Sequence, residues 1–299
     1  MKLLQFLFLI FTKGSLNHSS FNFEEERRKI LASVPNKKLS KDSGNANKIK
    51  SKLLNTKIGY SLISNLSYFR HARQMNVMLF VSSAKQLVYI RILKSASTSL
   101  LKELLPTIDK NLEGYSLSDD QVDALAFRYL KKELTLEEEP YSKFALIRNP
   151  FHRIVSVYLD LFDPKSDHFS YESYWFGILK SKMTFQEFVE TISQIPNFLK
   201  GPHFAPQQYI LSNITPLKKI SYFRIEKDQE ALNNFLSKHG INLPHRNRHG
   251  ESYNHLSFYT TYLVNKVYDM YEQDVVIFDY KAEYNQLLNF VSNQENRMV

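Results

Sequence analysis

The chain has 299 residues, no cysteine and a formal net charge of +9, with 43% hydrophobic, 14% aromatic and 23% charged residues. That length buries a sizeable core, and the composition is that of a soluble globular protein. The missing thiols exclude disulfides, thiolate catalysis and cysteine-ligated metal.

Met1–Thr12 holds one lysine and then a mostly apolar run, Leu3–Phe11, whose nine residues fall short of the about 20 that a bilayer span requires. A signal peptide and a segment docked on the domain both remain open. Between Arg27 and Lys57 ten Lys/Arg face a single acid, Asp42, so this stretch carries a net +9 and the rest of the chain sums to zero. Rich in Lys, Ser and Asn and poor in large apolar residues, it reads as an arm. A solvated tail and weak contact with an anionic surface are both compatible with it. Because the globular part is balanced, no nucleic-acid partner is expected. The organisation is therefore an apolar segment and basic arm over 1–57, then one domain over 58–299. A cytoplasmic protein is expected, the alternative being a secretory or membrane-associated one held by the N-terminal segment.

Tyr68–Val81 leads into the first strand region. Gln86–Ile92 is strand-like and runs directly into Lys94-Ser95-Ala96-Ser97-Thr98-Ser99, after which Leu100, Leu101, Leu104 and Leu105 form a helical apolar face. A strand that ends in Lys and small hydroxyl residues suits a backbone-and-hydroxyl cradle for phosphate. The same pattern also suits a Ser/Thr N-cap before a core helix. Leu117–Leu136 has helical spacing and reads as the crossover between two parallel strands.

Phe144–Ile147 is a short apolar run of the buried parallel-strand kind, followed by Arg148, Asn149 as an N-cap and Pro150 at the first helical position. Phe151, Ile154, Val155 and Tyr158 continue at helical spacing, with Ser156 two turns in. Such corners collect anions, because free N–H groups and the helix dipole converge there and Arg148 adds a planar fork. An Arg that merely caps a carbonyl is the plainer reading. Asp163–Trp175 is aperiodic and reads as a loop over the site. Amphipathic helices are expected around Phe185–Ile192, Glu226–His239 (ended by Gly240), Tyr259–Tyr271 and Lys281–Val291, with a strand at Ile220–Phe223.

Together, Lys94–Ser99 and Arg148–Ser156 resemble the PAPS-dependent sulfotransferases, among them the Golgi carbohydrate sulfotransferases and heparan 2-O-sulfotransferases. Two further stretches are similar to that group: His203-Phe204-Ala205-Pro206-Gln207, and Arg224-Ile225-Glu226-Lys227-Asp228 after the later strand. The resemblance spans about residues 85–285 and implies a P-loop-like α/β fold, a central parallel β-sheet flanked by helices. It implies sulfuryl transfer from PAPS (3′-phosphoadenosine 5′-phosphosulfate, leaving PAP) to a hydroxyl acceptor, a carbohydrate or another.

In that reading Lys94 to Ser99 hold the 5′-phosphosulfate, with Lys94 meeting charge on the leaving oxygen. Arg148 and Ser156 hold the 3′-phosphate, and the late basic stretch Pro244–Gly250, with Arg246 and Arg248, closes over it. The plainer reading of that stretch is an exposed loop. The group transferred carries less charge than a phosphoryl, so no metal is expected. The catalytic base does not transfer, since residues 100–147 contain no histidine. His203 is the substitute, a structural histidine beside Pro206 being the alternative; Glu103, His152 and His168 remain as others. Leu93 stands where the family usually has Pro, and Asn149 where it usually has Asp. Two rival functions stay open: a nucleotide-dependent kinase, which lacks its Gly-Lys-Ser/Thr loop here, and a non-catalytic polyanion-binding protein.

Overall fold

A computed structural model of the chain describes residues 76–163, 178–179, 183–243 and 255–298. The apolar segment, the basic arm, the 164–175 stretch with His168, and Arg246 and Arg248 lie outside the described residues.

Four strands form one sheet in the order β1-β2-β3-β4: β1 (Leu79–Ser82), β2 (Leu87–Ile90), β3 (Ser142–Ile147) and β4 (Ile220–Arg224). The pairs β2–β3 and β3–β4 are parallel. The first pair departs from the all-parallel expectation, with β1 antiparallel to β2. The connection is too short for a crossover: a single 3-10 turn, Ser83–Lys85, and Gln86 in the left-handed region at φ 48° reverse the chain.

β1 and β2 are apolar and buried on both faces, as expected where helices cover the two sides of a sheet. Phe80, Leu87, Tyr89, Phe144 and Leu146 point to one side. There they meet α1 (Ser97–Ile108), α2 (Asp119–Tyr129) and α6 (Gln229–Lys238). The alternate residues Leu79, Val88, Ile90, Ala145 and Ile147 face the other side. That side is covered by α3 (Pro150–Leu161), α4 (Phe185–Gln194), α7 (Thr261–Ile277) and α8 (Lys281–Met298). A short α5 (Gln207–Ser212) lies between α4 and β4 in the chain.

Several helix boundaries differ from the sequence spacing: α7 and α8 run past the expected Tyr271 and Val291 to Ile277 and Met298, and two other differences have a visible local cause. The expected 117–136 helix stops at Tyr129, because Lys131 leaves it to exchange backbone hydrogen bonds with Leu79 at 3.1 and 2.9 Å. The helix expected from Glu226 starts three residues later. Arg224 binds both oxygens of Asp228, and the Arg224–Asp228 turn occupies the intervening residues. Gly240 follows α6 at φ 65°, the left-handed ending that glycine adopts without strain. No helix of the described residues is long and apolar enough to cross a membrane.

Candidate active site

Parallel pairing decides where the two sequence motifs meet. Ile90 lies opposite Ala145, so the residues that follow β2 and β3 emerge at the same edge of the sheet. Lys94–Ser99 leaves one strand there and Arg148–Asn149 leaves the next.

Around Lys94 the backbone is strained. Lys94 at φ 66° and Ala96 at φ 55° are both left-handed without being glycine, a conformation that costs roughly 1–2 kcal/mol per residue. Left-handed residues alternating with others turn successive N–H groups toward one concave side, the arrangement that holds anions. Ala96 is the N-cap of α1 and its side chain makes no capping hydrogen bond; a helix start is where backbone N–H groups and the helix dipole favour an anion. Strain of this kind persists where the surroundings over-determine it.

The surroundings are specific. Ser95 is buried and its hydroxyl reaches Gln207 Oε1 at 3.4 Å, while Ser97 Oγ accepts from Arg91 Nε at 3.1 Å. Arg91 in turn pairs with Asp123 of α2. Of the loop hydroxyls, Thr98 is half-buried and Ser99 exposed. Arg153 is buried in α3 and spends its guanidinium on three carbonyls: Leu93 O at 3.0 Å, Ala205 O at 2.9 Å and Pro202 O at 3.0 Å. Burial pulls its pKa down, but a guanidinium lies so far above neutrality that it stays charged.

At the second motif the expected corner is present. Asn149 Oδ1 accepts from Phe151 N at 2.9 Å, Pro150 opens α3, and Phe151, Ile154, Val155 and Tyr158 are buried. Glu226 anchors the turn, accepting from Asn149 N and from Tyr280 Oη, both at 2.9 Å. The Arg148 guanidinium donates to Lys94 O at 3.1 Å, so the two motifs touch. Gln207 locks them: Oε1 accepts from Arg148 N and Nε2 donates to Arg148 O. Gln207 is held by Asp274 of α7, a fully buried carboxylate that accepts from the N–H groups of Gln207 and Gln208 at 2.8 and 2.7 Å. Pro206, the N-cap of α5, makes no such bond, and Asp274 caps the helix from another element. Burial still pushes the Asp274 carboxyl upward.

Ser156 is half-buried on the stripe of α3 that also carries Arg153 and Asp160. Asp160 Oδ2 lies 3.0 Å from Lys94 Nζ. His203 lies within electrostatic reach of Lys94, Arg153 and Arg91; burial first, then those cations, pull its pKa down to about 3. At neutral pH it is an uncharged imidazole. Among the other base candidates, Glu103 is on α1, and His152 packs against His255 with ring centroids 3.8 Å apart. Among the described residues no group of three or more His, Asp or Glu forms a metal-binding cluster.

Of the residues expected from the two motifs and from the family resemblance, Arg148 touches the Lys94–Ser99 loop, Ser156 lies on the α3 stripe whose Asp160 pairs with Lys94, and His203 lies within electrostatic reach of Lys94. Sequence spacing missed Arg91, Arg153, Asp160 and Asp274. Each carried a signal: Arg91 interrupts an apolar strand, Arg153 and Asp274 stand among core positions of their helices, and Asp160 is one turn beyond Ser156.

Helix-opening loops that meet at the carboxyl ends of parallel strands define the class, an α/β protein whose candidate site lies where the strands end. Within that class the chain belongs to the sulfotransferase family, whose model matches residues 77–281. It is accordingly an enzyme, a sulfotransferase, and the family generally uses PAPS. No curated protein and no solved structure gives a significant match.

Proposed function

We propose that this sulfotransferase takes its sulfuryl group from PAPS and delivers it to a hydroxyl of a carbohydrate, without a metal. The observation that carries the donor assignment is the Arg148–Lys94 contact locked by Gln207. It fixes the distance between a loop rich in N–H donors and a guanidinium, as a ligand with anionic groups at two ends requires. The carbohydrate assignment is supported by the similarity of Lys94–Ser99, Arg148–Ser156 and His203–Gln207 to carbohydrate sulfotransferases.

PAPS, when bound, supplies a sulfuryl group on an activated phosphosulfate; the chain supplies binding, orientation and charge. Lys94 meets the negative charge on the leaving oxygen. Ser97, Thr98 and Ser99 donate N–H and O–H groups to the 5′-phosphate, and Ser95 and Ala96 contribute through the backbone. Arg148 and Ser156 grip the 3′-phosphate. Arg91 and Arg153 stand behind the loop and hold its shape through Ser97 and Leu93. His203, neutral between cations, offers an imidazole that hydrogen-bonds the acceptor hydroxyl and orients it.

Calorimetric titration with PAP, 5′-AMP and ATP, without metal and on Arg148→Ala, tests the reading. Micromolar PAP binding, much weaker AMP binding and collapse in the variant are expected. Equal affinity for AMP and PAP removes the 3′-phosphate site, and ATP binding that needs Mg²⁺ favours a kinase.

A further inference from the structure

Asp160 stands one helical turn beyond Ser156, and its carboxylate pairs with the one lysine of the phosphate loop. The Lys94 and Asp160 side chains keep 24% and 33% of their exposure. A pair so accessible contributes little to folding stability, so its interest lies in where it sits. Arg153, two turns earlier on the same stripe, donates to Leu93 O. The stripe 153–156–160 of α3 thus runs along the loop, with a fixed bond at one end and the Lys94 ammonium at the other.

An anionic group arriving at the loop and the Asp160 carboxylate compete for that ammonium. We propose that Asp160 is the counter-ion Lys94 gives up when phosphosulfate binds, and that the released carboxylate accepts the proton of the attacking hydroxyl. The inference rests on the reading of Lys94–Ser99 as the phosphosulfate site. A bond forms between the acceptor oxygen and sulfur as the bond from sulfur to the bridging oxygen breaks. The electron pair of the broken bond goes to the bridging oxygen beside Lys94, and the hydroxyl proton goes to an Asp160 oxygen. No further reactant is needed. A carboxylate next to newly arrived negative charge attracts a proton more strongly. His203, by contrast, is kept from protonation by burial first and then by the charges of Lys94, Arg153 and Arg91.

The test uses the full chain and its variants Asp160→Asn, Asp160→Glu, Lys94→Ala and Lys94→Ala/Asp160→Asn. PAP affinity is read by calorimetry, and conversion of PAPS to PAP is followed with water as the acceptor. Asp160→Asn should bind PAP roughly three- to tenfold more tightly, as expected when one repelling charge is removed, and that gain should shrink on the Lys94→Ala background. The same variant should convert PAPS at least about tenfold more slowly, with part of the rate restored in Asp160→Glu. Such opposite movement of affinity and turnover is not produced by a merely structural residue. Unchanged or weaker PAP binding in a folded Asp160→Asn overturns the exchange, and undiminished turnover overturns the proton transfer. If Asp160→Asn fails to fold, Asp160→Ser is read by the same two criteria. A wild-type chain that ignores PAP overturns the donor reading and this inference with it, whereas PAP binding with an indifferent Asp160→Asn overturns this inference alone.

Discussion

Gln207 holds the peptide groups around Arg148 from both sides, accepting from its N–H at 2.9 Å and donating to its carbonyl at 2.7 Å. An amide is the side chain that can do both at once. The Arg that ends β3 is thereby set by a residue 59 positions later in the chain.

Gln207→Glu keeps the shape and the acceptor but loses the donor, leaving Arg148 O facing a carboxylate in a buried site. A loss of about 1–3 kcal/mol is expected from the unsatisfied carbonyl, read by urea unfolding. PAP affinity should fall with it, because Arg148 loses its register.

Arg148→Lys should behave almost as Arg148→Ala. A lysine cannot reproduce the planar fork that bonds Lys94 O and that would have to face the proposed 3′-phosphate at the same time. Loss of one charged hydrogen bond, about 1.5–3 kcal/mol, corresponds to roughly ten- to a hundredfold in PAP affinity by calorimetry. An affinity within twofold of wild type in the Lys variant would remove the guanidinium from the site.

Arg153→Met removes the donor shared by Leu93, Pro202 and Ala205. It also removes a positive charge lying near the buried Asp274. Breaking a buried charged network of this kind costs roughly 3–5 kcal/mol. In a double-mutant cycle with Asp274→Asn the two effects should be non-additive.

The folded chain resists protonating His203, whose pKa drops to about 3 from the ordinary value of 6.5. Between those values the unfolded state binds more protons, so stability rises with pH and is lost on acidification. Between pH 7 and pH 5 the wild type should lose stability relative to His203→Gln, with a slope below about 1.4 kcal/mol per pH unit. Parallel pH curves for the two proteins would mean that His203 is not shielded. In PAPS turnover the same substitution should lower the rate and leave PAP affinity nearly unchanged.

Much of this protein was determined by local chemistry alone. The run from Phe144 to Tyr158 carries its own strand, cap, first-turn proline and buried helical face, because each depends on residues a few positions away. The loop from Lys94 to Ser99 is legible for the same reason, as a lysine and small residues between a strand and a helix. That the sheet edge would gather both loops was readable from strand–helix–strand order. The antiparallel β1 was not, because it depends on a 3-10 turn and a left-handed Gln86 with no marked turn sequence.

Tertiary structure decided which polar groups serve the site by supporting it. Asp274, Arg153 and Gln207 act across 49 to 112 positions of sequence on the partners that they bind, and no local pattern encodes such a pairing. The physical reason is burial. Once packed out of water, each N–H, carbonyl and charge must find a partner wherever the fold places one. The same packing set Asp160 against Lys94, a pair 66 residues apart that periodicity could place only on separate elements.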